Sequence, residues 1–259
     1  MKRKNAFTLI ELLVVIAVIA ILMAILMPAL QRTKKQAKTA ACQTHLHQWS
    51  LIFSMYCDDN YSRFFNGTGE DGEPGTWGRF WSNPLKNYYQ NMKIRFCPTA
   101  TKTMAAGAQQ PYAAWSGEEF VTDVDYEEIS GSYGINGWLC NPVGDTVHGR
   151  GPVSRFWKTC DTKGSSEIPV FADMFVSDAF PALPSDPPED KADFAWRGYT
   201  NEMNRLCVDR HNGAINVLFL DWSIRRTKLK QLWKMKWHRG YNVNAEPPAW
   251  TEWMQHLPD

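Results

Sequence analysis

The stretch "NAFTLIELLVVIAVIAILMAILMPAL", residues 5–30, decides how the rest of the chain is read. Lys2, Arg3 and Lys4 precede it, and from Phe7 to Leu30 the only charged side chain is Glu11. As a helix this segment measures about 36 Å, enough to cross a hydrocarbon core of about 30 Å. A secretory signal peptide has an apolar core of roughly 7 to 15 residues that ends at a small-residue cleavage site. This run is longer and flows onward without one. Glu11 is the anomaly. A carboxylate inside a span costs roughly 2.5 to 3.5 kcal/mol on insertion scales, so it calls for a compensating partner.

The continuation "QRTKKQAKTAACQTHLHQWSLIFSMYCDD" has no helix breaker after Pro28. Within it Cys42, Leu46, Trp49, Phe53 and Tyr56 recur at helical steps, the stripe of an amphipathic helix. A single helix from Phe7 to Asp58 would be about 78 Å long. Its first half is apolar all round, and its second half has one face for a globular body. Pro28 is compatible with a kink near the membrane exit.

These residues resemble the N-terminus of type IV pilins and type II secretion pseudopilins. In that family a short basic leader is cut before Phe by a membrane aspartyl prepilin peptidase, which also methylates the new amine. The resemblance implies residues 1–6 as leader, cleavage between Ala6 and Phe7, and N-methylation of Phe7. Ala6 stands where the family most often has Gly. Glu11 becomes the fifth residue of the processed chain, the family's glutamate position, which is thought to meet the N-terminal amine of the next subunit in an apolar bundle. Such a pair offsets burial of both groups and sets axial register, since leaving either charge alone costs far more. Pro28 also falls where many members have proline. Charge does not fix orientation, because Arg32, Lys34, Lys35 and Lys38 follow the span. The resemblance implies a cytoplasmic leader, a single pass through the inner membrane and a head outside.

Lys+Arg 28 against Asp+Glu 27 gives no electrostatic reason for a nucleic-acid partner. Without Lys2, Arg3 and Lys4 the chain keeps 25 basic against 27 acidic residues and is mildly acidic. No second apolar run approaches the roughly 18 residues of a span. The six cysteines, at 42, 57, 97, 140, 160 and 207, contain no Cys-x-x-Cys pair, which removes zinc-ribbon and thioredoxin spacings. Disulfides are open to an exported body, and Cys42 with Cys97 is the favoured pair because "RFCPTA" reads as an ordered turn after a strand.

Past Asp58 the texture turns to Gly, Asn, Pro and aromatic residues. "NGTGEDGEPGTWGRFWSNP" (66–84) and "ALPSDPPEDKADF" (182–194) read as loops, "GSYGINGWL" (131–139) and "SEIPVFADMFV" (166–176) as short strands, and "VTDVDYEEIS" (121–130) as ambiguous. In "DRHNGAINVLFLDWSIRRT" (209–227), Asn212-Gly213 is a two-residue hairpin turn, and a turn near Asp221 leads to a strand over 223–227. Of the crowded C-terminal tryptophans, Trp222, Trp233, Trp237, Trp250 and Trp253, most are expected in the core, with one exposed platform as the functional alternative.

His211, nine residues, then Asp221 is similar to the His-x9-Asp-Gly signature of prepilin-type processing-associated proteins, whose helix pattern "CQTHLHQWSLIFSMYCDDN" also fits. Trp222 stands in place of the glycine, which makes a turn needing positive φ doubtful there. His211 and Asp221 are expected at opposite ends of a strand, orienting turns by hydrogen bonds, because no third metal ligand has recognisable spacing. Cys207 with His211 lacks the motif context of a nucleophile and base. No cofactor or metal is expected, calcium being the one ion kept open since some major pseudopilins hold it.

The sequence thus predicts an α+β, pilin-like fold: a leader (1–6), a transmembrane helix and assembly segment (7–30), its amphipathic continuation (31–58), and an extracytoplasmic antiparallel-sheet head (59–259). The expected role is a non-enzymatic pseudopilus or pilus-like subunit. Its partners would be prepilin peptidase, other pilin or pseudopilin subunits, an inner-membrane assembly platform and the lipid bilayer, with no nucleic acid. The competing expectation is a membrane-anchored binding protein that captures polysaccharide or a protein ligand without polymerising.

Overall fold

A computed structural model describes residues 9–67, 81–116, 130–147, 149–191 and 201–259. The leader, Ala6 and Phe7 lie outside the described residues, as do most of the ambiguous 121–130 stretch and much of the 66–84 loop.

One helix, α1 (Leu9–Asp59), runs for 51 residues with Pro28 inside it. At 1.5 Å per residue it is about 77 Å long. Residues 9–37 are exposed throughout, and the head covers the helix only beyond them. There the apolar stripe turns inward: Cys42, Leu46, Trp49, Phe53 and Tyr56 are all buried, joined by Ile52 and Cys57. The predicted amphipathic half is therefore the half that packs.

The head is a mixed α/β body. A small sheet joins β1 (Lys102–Thr103), β2 (Ala113–Ser116) and β3 (Ser130–Gly131). The main sheet contains β4 (Tyr133–Asn136), β5 (Pro169–Asp173), β6 (Asp178–Ala179), β7 (Ala214–Phe219) and β8 (Ile224–Lys228), in the order β6-β4-β5-β7-β8. Its pairings are antiparallel except β4 with β6. The head also contains the short helices α2 (Ser82–Leu85) and α3 (Glu252–Gln255). Every residue of β5 and β7 is buried, and α1 lies against β7. Gly134 is required in β4, since a Cβ there would collide with the Val176 carbonyl of the strand-connecting loop.

Aromatic rings join helix to sheet. Phe171 of β5 sits 5.0 Å from both Trp49 and Trp81 and 5.6 Å from Phe53, in tilted or edge contacts. The buried indoles also tie down irregular backbone: Trp49 donates to Ile94 O, Trp81 to Ser177 O, Trp138 to Pro181 O and Trp233 to Ser185 O. Tryptophan abundance thus serves a loop-rich core, whose irregular carbonyls take buried indole N–H groups as donors. Among the described residues no tryptophan is exposed; Trp222, Trp250 and Trp253 are half-buried.

Two turn expectations fared differently. Asn212 (φ 57°) and Gly213 (φ 74°) form the two-residue turn, closed by His211 N–H donating to Ala214 O. The chain before it is irregular rather than a strand, and the Asp209 carboxylate accepts from Gly213 N–H. Trp222 does adopt a positive φ, 64°, despite its bulk. Its half-buried ring packs on the core, and Asp221 accepts from Ser223 N–H at 3.0 Å and from its hydroxyl at 2.6 Å, holding the turn.

The expected Cys42–Cys97 bond is not formed; the disulfide joins Cys57 to Cys160. The backbone explains the pairing. Phe64 N–H donates to Lys158 O and Cys160 N–H to Ser62 O, flanking an Arg63–Thr159 bridge that lays the two segments side by side. The segment before Cys97 is a 3-10 helix (Met92–Arg95) rather than a strand.

His238 makes the head acid-sensitive. Its ring is buried edge-on against Trp138, and Nδ1 accepts from Gly240 N–H at 3.1 Å, which needs the neutral ring. Burial, with Arg155 nearby, pushes its pKa down to about 4. The unfolded chain takes up this proton below about pH 6.5, so this contribution to stability is lost as pH falls from about 6.5 to about 4. In His238→Phe the Tm deficit relative to the parent should shrink across that window, measured by thermal melts at several pH values.

Candidate functional site

Two features carry chemistry. The first is the protruding half of α1, where Leu9 to Leu30 presents Ile, Leu, Val and Met to the surroundings on all sides. This is the one helix among the described residues long and apolar enough to cross a membrane, and its most apolar window has a mean hydropathy of 3.2 with no residue buried against the head. Glu11 lies in its first turn.

The second feature lies where α1 enters the head. Cys42 from α1, Cys97 from the turn after the 3-10 helix, Asp173 at the end of β5 and His211 before the Asn212-Gly213 turn converge, with all four donor atoms within 4.8 Å of one another. Cys42, Cys97 and Asp173 have no exposed surface and His211 is 4% exposed. His211 Nε2 lies 3.1 Å from Asp173 Oδ2 and 3.3 Å from Cys97 Sγ, and Cys42 Sγ lies 3.7 Å from Asp173 Oδ2. Around them, Tyr133 O–H donates to Cys42 Sγ at 3.1 Å, Asn216 N–H donates to Asp173 Oδ2 at 2.9 Å, and buried Arg210 stands 3.7 Å from Asp173 Oδ1.

The electrostatics are strongly perturbed. Burial alone would lower the His211 pKa, but the Asp173 carboxylate and Cys97 drive it up to about 10. Burial would raise Asp173, yet His211, Arg210 and the Asn216 amide hold it below its usual range. Burial opposes the Cys97 thiolate too, while hydrogen bonds from Cys42 and His211 bring that thiol down to about 6. Cys42 goes up, through burial and its contact with Cys97. By contrast Cys140 and Cys207 are buried thiols pushed up by burial first, and behave as small hydrophobes.

The sequence expectation for His211 and Asp221 is half right. Asp221 is exposed and only holds its turn, whereas His211 points into a four-residue cluster. Cys42 and Cys97 are neighbours, as expected, but as free thiols. Asp173 was missed. It comes from a separate chain segment, and its one signal was an acid closing the otherwise apolar strand "PVFAD".

Comparison with known families bears on the first feature. Residues 1–27 match the family model described as the prokaryotic N-terminal methylation motif. The chain carries a prepilin-type N-terminus. Searches of curated proteins and of solved structures found no match. A prepilin-type N-terminus implies processing by prepilin peptidase, membrane anchoring through the apolar helix and association with other pilin subunits. The long helix and sheet-bearing head of this prepilin-type chain are consistent with a pilin-like α+β fold.

Proposed function

We propose that this chain is a non-enzymatic pilin-like subunit, cut between Ala6 and Phe7, N-methylated on Phe7, and assembled into a type II secretion pseudopilus or a type IV pilus-like fibre. It waits in the inner membrane with its N-terminus cytoplasmic and its head outside, and an assembly platform draws the apolar half of α1 into a bundle of like helices. The observation that carries the reading is the methylation motif running straight into an apolar helix that the head leaves uncovered. Lipid, and then neighbouring subunits, can both satisfy that surface. The Cys57–Cys160 disulfide supports a head in an oxidising compartment. The competing role of a non-polymerising binding protein gains no exposed tryptophan platform among the described residues.

Glu11 is assigned to pairing with the methylated amine of an adjacent subunit. Glu11→Ala should leave membrane insertion intact while the fraction recovered in sheared filaments falls about tenfold or more, the effect of roughly 1.4 kcal/mol or more per contact. Incorporation at the parent level would overturn this role.

A further inference from the structure

We propose that Cys42, Cys97, Asp173 and His211 form a structural zinc site that pins α1 to the head. The donor set is two sulfurs, one imidazole nitrogen and one carboxylate oxygen, a combination that suits zinc and leaves no open position. With zinc–sulfur bonds near 2.3 Å and zinc–nitrogen or –oxygen bonds near 2.1 Å, the edges of a tetrahedron are about 3.6 Å for sulfur to nitrogen or oxygen and about 3.4 Å for nitrogen to oxygen. The corresponding separations here are 3.3 Å (Cys97 to His211), 3.7 Å (Cys42 to Asp173) and 3.1 Å (His211 to Asp173). These three separations already stand close to tetrahedral spacing, and all four donor atoms lie within 4.8 Å of one another.

The surroundings fit as well. Thr39 Oγ1 lies 3.1 Å from His211 Nδ1 while its own hydroxyl donates to Lys35 O at 3.1 Å. With that hydroxyl proton on Lys35 O, His211 Nδ1 is the N–H donor to Thr39, which in the neutral ring leaves the Nε2 lone pair facing the cluster. This is how a second hydrogen bond orients a ligating histidine. Tyr133 and the Asn216 amide donate to Cys42 and Asp173, steadying both as anions. Charge balances too: zinc with two thiolates and one carboxylate carries a single negative charge, which buried Arg210 compensates at 3.7 Å from Asp173.

The four ligands come from four separate segments, so one ion would fix α1, the turn at Cys97, β5 and the approach to β7 together. Cys42 lies about 18 Å along the helix from Leu30, close to where the helix leaves its apolar half. Burial and a full set of protein ligands make this a closed site, structural rather than catalytic. Coordination would also keep the two adjacent thiols from oxidising to a disulfide.

The test uses the full-length chain purified in detergent without chelator or reductant. Elemental analysis should find one equivalent of zinc, retained through dialysis. Replacement by cobalt(II) should give the spectrum of a tetrahedral ion with thiolate charge-transfer bands. Cys42 and Cys97 should resist alkylation until chelator is added, and Tm should fall when it is. His211→Ala and Asp173→Asn should lose or weaken the cobalt spectrum, and the parent spectrum decides the matter if those variants do not fold. A Cys42–Cys97 disulfide found by peptide mapping would overturn the proposal, as would reduced protein that takes up no zinc or a cobalt spectrum without thiolate bands.

Discussion

Replacing Glu202 by alanine is expected to cost about 3–5 kcal/mol of stability. Glu202 is 3% exposed and sits between two buried arginines. Its Oε1 accepts from Arg150 Nε at 2.7 Å and Nη2 at 2.6 Å, and its Oε2 accepts from Arg205 Nη1 at 2.9 Å and from Phe180 N–H at 2.9 Å. Arg150 also lies over the Phe180 ring at 4.3 Å. Truncation removes the carboxylate that both guanidinium groups share and a backbone acceptor besides. Asp178 is a poor substitute, because its carboxylate stands 3.9 Å from Arg205, beyond hydrogen-bond distance. Glu202→Gln, which keeps the shape and an acceptor for Phe180 but no charge, should fall between alanine and the parent. Denaturant midpoints of the three proteins check the order.

Breaking the Cys57–Cys160 disulfide is the second large effect. It spans 103 residues and closes the end of α1 onto the loop after the 3-10 segment at 153–155. In the chain-entropy account a loop of that length is worth about 4.7 kcal/mol, and measured bridges give about 2–4. Cys160→Ala should therefore lose about 2–5 kcal/mol. Reductant should lower the Tm of the parent and leave that of Cys160→Ala unchanged, since no second disulfide occurs among the described residues. The loss should be concentrated at the helix end, where the chain turns back at Asn60 to Arg63.

The helix was legible because both of its signals are local. The apolar run needs only composition, and the stripe from Cys42 to Tyr56 needs only a period, so burial followed the sequence residue by residue. β5, β7 and β8 were readable for the same reason, their strand runs lying between clear turn signals. What the sequence hid is what depends on contact between distant segments. Cys160 meets Cys57 through backbone bonds made by residues 62 to 64 and 158 to 160, which no spacing rule encodes. Asp173 meets His211 because β5 and β7 are adjacent in the sheet, although 37 other residues lie between the two in sequence. Trp222 showed the reverse, a local steric objection overridden by packing of its ring and by the Asp221–Ser223 bonds.

The central claim concerns the other end of the chain, and mass spectrometry of the mature N-terminus tests it most directly. If this is a processed pilin-like subunit, the protein recovered from membranes begins at N-methylated Phe7 with Glu11 as its fifth residue. A mature chain that retains Met1 and its basic leader, or one cut between Ala37 and Ala41 so that the apolar helix is lost, would contradict it.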